Sequence, residues 1–331
     1  MQKERVLSGM QASGKVHLGN LVGALNNWVN LQDKYDCFYF VADLHALTTS
    51  YANPASIKES TKDLLINFIA AGLDPEKSTI FIQSMVPQHA ELHLLLSMIT
   101  PLGWLERVPT YKEKQLELKE RDLSTYGFLG YPVLQTADII MYRAKHVPVG
   151  IDQLPHLEIS REIARRFNFQ YREVFPEPEG LLTEFPKVPG LDGRKMSKSY
   201  DNAIYLSDTP EVMEQKIRTM MTDPARKRKT DIGDPELSPV YHLHKIFSSP
   251  EEIEYITHGC RTAGIGCIEC KKVLIKNIFA YLEPIWKRRA ELIHNPDMLY
   301  AIAKKGSEKA TIVAEETMVI VREIMGLASE R

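Results

Sequence analysis

The sequence predicts an α/β fold: a mostly parallel sheet with its helices in the first half of the chain, then an all-helical part past Asp208. Three observations predict it. Short apolar runs alternate with helical patterns through the first half. The first of those runs leads through a Gly/Ser-rich turn straight into a helical pattern. Past Asp208 the 3.6-residue periodicity continues with no convincing strand.

Taken in order, strands are expected at 5–9, 37–42, 79–83 and 146–150. A helix is expected at 21–35 and an amphipathic one at 55–71, ending at Gly72 before Asp74-Pro75. The second strand is apolar throughout, as suits a strand covered on both faces. In such sheets ligands gather at the carboxyl ends of the strands. Those ends are 9–13, 43–45, 83–84 and 150–153. From 175 to 193 the chain is rich in Pro and Gly, and Pro176, Pro178, Pro186 and Pro189 mark it as a loop. Helices follow at 211–220, 251–258, 270–282 and 307–325, the last a candidate to pack back on the catalytic domain.

Composition narrows the function. At 331 residues, 44% hydrophobic and 25% charged, the chain can build sizeable cores. Its net charge of −2 means that nucleic-acid binding has to come from a local basic face. Arg226-Lys227-Arg228-Lys229, Lys271-Lys272 and Lys287-Arg288-Arg289 are such clusters. Each alone reads as a solubilising face; together they give the helical part enough charge to meet an RNA backbone. No apolar run approaches the roughly 20 residues of a membrane span, and Met1-Gln2-Lys3-Glu4-Arg5 lacks a secretory apolar core. Four cysteines, three crowded at Cys260, Cys267 and Cys270, do not resemble a disulfide framework. A reducing cytoplasm and no membrane are expected.

The chemistry begins at Ser8-Gly9-Met10-Gln11-Ala12-Ser13-Gly14-Lys15-Val16-His17-Leu18-Gly19-Asn20. A strand, a tight small-residue turn and a helix start form a geometry that holds phosphate, through close backbone approach and free N–H groups. Two readings compete. Gly9-x4-Gly14-Lys15 followed by a strand ending in Asp43 matches most of a P-loop, but Val16 stands where a Ser or Thr hydroxyl is needed. The alternative is His17-Leu18-Gly19-Asn20, with a planar base against Gly19 and the imidazole aimed at phosphate.

Other polar residues cluster at the strand ends. His45 follows the second strand, level with the phosphate turn. Tyr131, Gln135 and Asp138 share one helix face, with Pro132 in its first turn. Three polar groups among apolar neighbours are costly as plain core, and a pocket for a small polar-aromatic ligand explains them better than a solvated face. Arg194-Lys195-Met196-Ser197-Lys198-Ser199 is, by itself, an ordinary solvated charge run. On a Gly-rich loop it also suits a mobile cationic clamp on polyphosphate.

Taken together, His17–Asn20 and Lys195–Ser199 resemble the two signatures of the class I aminoacyl-tRNA synthetases, the second of them identically, and this pairing displaces the P-loop reading. Gly9-Met10-Gln11-Ala12-Ser13-Gly14, the Tyr131–Asp138 segment, Val147-Pro148-Val149-Gly150-Ile151-Asp152-Gln153 and His156-Leu157-Glu158 most resemble the bacterial tryptophanyl branch. The resemblance covers nearly the whole chain. It implies a Rossmann-type catalytic domain over residues 1–205, an all-helical anticodon-binding domain over 206–331, a homodimer, activation of L-tryptophan with ATP and Mg²⁺, and transfer to tRNA(Trp). It implies that Gln11, Ala12, Ser13, Gly19, Asn20, Gly150, Ile151, Asp152, Val188, Met196, Ser197 and Ser199 contact ATP. His17, Lys195 and Lys198 would lie at its phosphates, with Lys112 a further partner there. Gly9, His45, Val147 and Val149 would wall the tryptophan pocket, Asp138 would accept the indole N–H, and Tyr131, Gln135 and Gln153 would hold the head group. Tyr-x3-Gln-x2-Asp is also a tyrosyl pattern, so a tyrosyl enzyme is the alternative, and a non-charging RNA-binding paralogue a second.

Some relatives with Cys-x6-Cys-x2-Cys carry a fourth, upstream cysteine and a [4Fe–4S] cluster. Here Ser238 stands near that position. Clusters usually take four thiolates, so Cys260, Cys267 and Cys270 are expected as buried free thiols, with a cluster or zinc through His258 as the metal-bound alternatives.

Overall fold

The structure is a computed structural model that describes residues 3–108, 123–150, 153–182 and 187–328. The chain forms two compact units, each discontinuous in sequence. Unit 1 comprises 1–14, 26–184 and 295–331, and unit 2 comprises 15–25 and 185–294. These boundaries follow packing and are drawn differently from a single cut at 205/206.

Unit 1 is built on a five-stranded parallel sheet of order β3-β2-β1-β4-β5. The strands are β1 Arg5–Gln11, β2 Asp36–Ala42, β3 Ser78–Ile82, β4 His146–Val149 and β5 Glu179–Leu182. β2 is buried from Cys37 through Ala42, the apolar run of a strand covered on both faces. Strand order reverses between β1 and β4, so the crevice that such sheets offer to ligands opens beyond the carboxyl ends of these two. β5 corrects the reading of 175–193 as wholly loop. It is a four-residue edge strand whose first and last residues are exposed, so it carries no buried alternation to betray it.

Helices cover the sheet. Trp28, in helix Asn26–Leu31, stacks on Tyr39 with ring centroids 4.7 Å apart, and the Tyr39 hydroxyl donates to the Trp28 carbonyl at 3.1 Å. The expected 21–35 helix is shorter at its end and not uniform, since Leu21–Leu25 is a π segment and the helix stops at Leu31. Helix Ala55–Ala71 ends at Gly72 in the left-handed region (φ 113°), the conformation that favours glycine at this cap. Helix Tyr131–Met141 is buried at every residue except Gln135.

The last helix, Pro296–Ile324, also belongs to unit 1 and packs on β3. Its buried face runs through Ala303, Gly306, Ser307, Ala310 and Ala314, small residues that allow close approach, and on through Met318 and Val321. At Gly306 a Cβ would lie 1.9 Å from the Ile80 carbonyl oxygen. Arg322 clamps Glu91 through two bonds of 2.6 Å and also pairs with Glu315.

Unit 2 starts with the short helical turn Leu18–Asn20. It then carries helices Pro210–Thr219, Pro239–Phe247, Pro250–Arg261 and Cys267–Ile293. A full capping box at Ser249 and Glu252 starts helix Pro250–Arg261. Among the described residues no helix is long and apolar enough to cross a membrane.

Candidate active site

In unit 2 backbone hydrogen bonds join the first signature segment to residues 204–206, which follow the second. The Leu18 N–H donates to the Ile204 carbonyl at 2.8 Å and the Leu206 N–H to the Val16 carbonyl at 2.9 Å, around an antiparallel bridge between His17 and Tyr205. The His17 Nδ1 accepts from the Asn20 N–H at 3.2 Å, while the Asn20 side-chain oxygen accepts from the His17 N–H at 3.1 Å. This reciprocal cap starts the helix and leaves the proton of a neutral ring on Nε2. Burial lowers the His17 pKa, and the charges of Lys198 and Lys195 lower it further, to about 4. At neutral pH His17 is therefore an uncharged N–H donor beside two cations. A Cβ on Gly19 would lie 3.0 Å from the His17 Nδ1 and 3.6 Å from the Met196 Cβ, so the glycine keeps this face flat.

The lysine-bearing segment is a knit hairpin. Met196 N–H donates to the Val188 carbonyl at 2.8 Å and Gly190 N–H to the Arg194 carbonyl at 2.7 Å, with Gly193 at φ 83° closing the turn. Asn202 holds it from outside. Its side-chain N–H groups donate to Asp192 (2.7 Å) and the Lys195 carbonyl (3.2 Å), and its oxygen accepts from the Ser197 N–H (2.8 Å). Val188 and Met196 are buried beneath the hairpin, and the Ser197 hydroxyl accepts from the Ser199 N–H at 3.3 Å. A neutral N–H donor and two lysines gathered on rigid backbone suit a polyphosphate chain.

In unit 1 the turn after β1 is equally ordered. The Ala12 N–H donates to the Ala42 carbonyl at 3.3 Å, Gln11 Nε2 to the His45 carbonyl at 3.0 Å and the Gly14 N–H to the Ser60 Oγ at 2.9 Å. Ser13 N–H donates to the Gln11 carbonyl at 2.8 Å, and Gly14 has φ 98°. Gly9 lies against the Phe40 ring, where a Cβ would come within 2.5 Å.

Asp138 is 1% exposed and is the centre of a polar network. Its Oδ1 accepts from Gln83 Nε2 at 2.8 Å and meets His89 Nδ1 at 2.6 Å, and its Oδ2 meets His45 Nε2 at 2.8 Å. Beyond it, His89 Nε2 is 2.8 Å from the Tyr142 hydroxyl. Burial works to raise the Asp138 carboxyl, but the charge of His89 and the hydrogen bonds from His45 and His89 outweigh it and hold it at about 2. Burial lowers the nearby His93.

Around this carboxylate Tyr131 packs against the rings of Phe128 and His156, and Gln135 is the residue of its helix that reaches partial exposure. Val147 is buried in β4, Val149 and Gly150 are half-buried at its carboxyl end, and the Gln153 N–H donates to the Gly150 carbonyl at 2.9 Å. Lys112, Ile151 and Asp152 lie outside the described residues. His89 and Tyr142 were not singled out from the sequence, because a histidine after Val86-Pro87 and a tyrosine in an apolar run carry no local signal. Gln83 did carry one: it ends a predicted strand.

Cys260, Cys267 and Cys270 lie in unit 2 as free thiols that are half-buried and not, as expected, buried. Cys260 Sγ faces Arg226 Nη1 at 3.9 Å, and Cys270 Sγ faces His244 Nε2 at 3.4 Å. Burial raises the Cys260 thiol and pushes Cys270 up to about 12, with the neighbouring thiols adding to both. The imidazole at Cys270 is that of His244, from helix Pro239–Phe247. The residue against Cys260 is Gly233, where a Cβ would lie 2.8 Å from the sulfur. Among the described residues no group of three or more His, Cys, Asp or Glu side chains is arranged to hold a metal ion.

A parallel sheet with its switch point at β1 and β4, a capped His-x-Gly-Asn helix start and a two-lysine hairpin beside that imidazole mark the class I aminoacyl-tRNA synthetases. Over residues 1–283 the chain matches the family model for tRNA synthetases class I (W and Y), and it belongs to that family. It is 55% identical over 325 residues to the Tryptophan--tRNA ligase of Thermotoga maritima, covering 98% of this chain and 99% of the relative. It is 47% identical over 397 residues to that of Ralstonia nicotianae, covering 99% of each. Among solved structures it resembles the tryptophanyl-tRNA synthetase of Campylobacter jejuni in complex with ADP and tryptophan, with a TM-score of 0.87, 34% identity and coverage of 98% and 100%.

Proposed function

We propose that the chain activates L-tryptophan with ATP, giving tryptophanyl-adenylate and pyrophosphate, and transfers the tryptophanyl group to tRNA(Trp). The observation that carries this reading is the reciprocally capped His17–Asn20 turn in one unit with the hairpin that bears Lys195 and Lys198, whose charges help keep the buried imidazole neutral. Family membership and the relatives named Tryptophan--tRNA ligase support it.

In the proposed first step the tryptophan carboxylate attacks the α-phosphorus of ATP and pyrophosphate leaves. Little proton transfer is required, so the residues act by placing the reactants and stabilising the charge of the leaving group. Lys195 and Lys198 neutralise the pyrophosphate while His17 Nε2–H donates to a phosphate oxygen. Gly19, Asn20, Val188, Met196, Ser197 and Ser199 in unit 2, and Gln11, Ala12, Ser13 and Gly150 in unit 1, are proposed ATP contacts, with Ile151, Asp152 and Lys112 added from the sequence. Asp138 accepts the indole N–H within walls formed by Gly9, His45, Val147 and Val149, and Tyr131, Gln135 and Gln153 hold the amino-acid head group.

Mg²⁺ belongs to the proposal as a companion of ATP. The described groups nearest the proposed phosphate position are lysines, an imidazole and neutral donors, which do not fit a divalent cation, so the nucleotide's own oxygens would carry it. Residues 206–331 are the proposed tRNA anticodon-binding region, working in a cytoplasmic homodimer. ATP–pyrophosphate exchange with tryptophan and tyrosine in competition tests the assignment. Exchange driven by tryptophan and poorly by tyrosine is expected, and exchange driven by tyrosine alone overturns it.

A further inference from the structure

The shell behind Asp138 points to a specificity device that deepens the proposed function and rests on it. We propose that Gln83 and His89, the latter backed by Tyr142, are positioning residues that fill Oδ1 of the Asp138 carboxylate with donors and leave one position open on Oδ2, so that the pocket selects a donor-only indole over a phenol.

An ionised carboxylate offers about four lone-pair positions. Three are filled: Oδ1 by Gln83 and His89, and Oδ2 by His45. The remaining position belongs to Oδ2, which it shares with His45, the partly exposed member of the set. Gln83 and His89 are the fixed members, both fully buried. Gln83 is locked from its other end, since its Oε1 accepts from the His45 backbone N–H at 3.4 Å. This bond also fixes which way the amide points. His89 carries a proton on Nδ1 to meet the carboxylate, and its Nε2 shares a hydrogen bond with the Tyr142 hydroxyl.

The site therefore presents one open acceptor, with its own donors turned inward. An indole N–H is a donor and nothing else, so it fills the open position and completes the set. A phenol hydroxyl can donate to the same oxygen, but its own lone pairs then enter a buried site whose donors are already committed. A polar group buried without its partner is what makes such a site discriminate. The carboxylate alone accepts either group, and the selection comes from the residues that tie it down.

The test measures kcat/KM in ATP–pyrophosphate exchange for tryptophan and for tyrosine, using the full chain and its His89→Leu, His89→Asn, Gln83→Met and Tyr142→Phe variants, with thermal melting to confirm folding. His89→Leu is expected to narrow the tryptophan-to-tyrosine ratio by about tenfold or more, with KM for ATP unchanged. His89→Asn keeps an N–H near the Nδ1 position and is expected to recover most of the ratio. Gln83→Met and Tyr142→Phe are expected to narrow it less, and they carry the test if His89→Leu does not fold. A wild-type enzyme that prefers tryptophan, with a ratio that no folded variant moves beyond twofold, overturns this inference alone. Wild-type exchange with neither amino acid overturns the proposed function and this inference with it.

Discussion

At His17 one imidazole serves the structure and, in the proposed reaction, the chemistry. Its Nδ1 caps the helix while its other nitrogen stays available beside two lysines. The cap can be tested apart from the chemistry, because Asn20→Ala removes one half of the reciprocal pair. It should lower stability by about 1 kcal/mol, read as a shift in the urea midpoint. Lys195→Ala acts on the chemistry. Adenylate formation should slow by about 100-fold or more, while tryptophan affinity measured by calorimetry changes less than threefold. Equal losses in both would remove the leaving-group role. The residue-level reading of the sequence was strongest here, since the spacing of Gly, His and Lys marks a phosphate turn by itself. It was weakest at the Asp138 shell. His45, Gln83, His89 and Asp138 come from four separate segments, and only the folded sheet brings them together.

At the scale of elements, four strands were readable because each holds a short apolar run beside turn signals, as little as Val6-Leu7 in β1. β5 was not, because an exposed edge of four residues imposes no alternation. Helix Pro239–Phe247 escaped for a related reason: it is short and emerges from a proline-bearing stretch. The junction of the last helix with β3 shows what sequence periodicity does not convey. Its buried stripe is legible, but the need for no side chain at Gly306 appears only against the Ile80 carbonyl. Gly306→Ala should destabilise the protein by about 3 kcal/mol or more, because the obstacle is backbone that cannot rotate away. A midpoint within error of wild type in denaturant titration would show that the helix can shift to make room. The signature hairpin depends on Asn202 in the same way, three of its residues being held by that one side chain.

Over the whole molecule the buried histidines set the response to acid. His17 and His244 are both held to about 4, in each case chiefly by burial. The unfolded chain takes up a proton at the ordinary histidine value near 6.5, so unfolding binds protons in the window between. Stability should therefore fall as pH drops from 6.5 to 4, by about 3 kcal/mol for each of the two residues. His244→Gln should remove roughly half of that slope in urea titrations across this window. A slope unchanged by the substitution would place the acid sensitivity elsewhere. Asp138, held at about 2, stays ionised through this range and adds its own loss only below the ordinary carboxylate value. The domain order was legible in outline as a sheet followed by helices. The return of the last helix was also anticipated, but the grouping of residues 15–25 with 185–294 was not, because that pairing is a matter of packing.

That return has a consequence for how the protein is made. β3 leaves the ribosome early, yet the helix that covers it is encoded roughly 210 residues later. At bacterial-type elongation rates of about 5–20 residues per second, the wait is about ten to forty seconds. Throughout that interval the nascent sheet carries Phe81 without the Ala310, Ala314 and Met318 that share its core cluster, and it is then a client for any chaperone at the exit tunnel. Chains terminated at Asn295 should remain in that condition, binding holdases or precipitating, while chains that reach Ile324 are released.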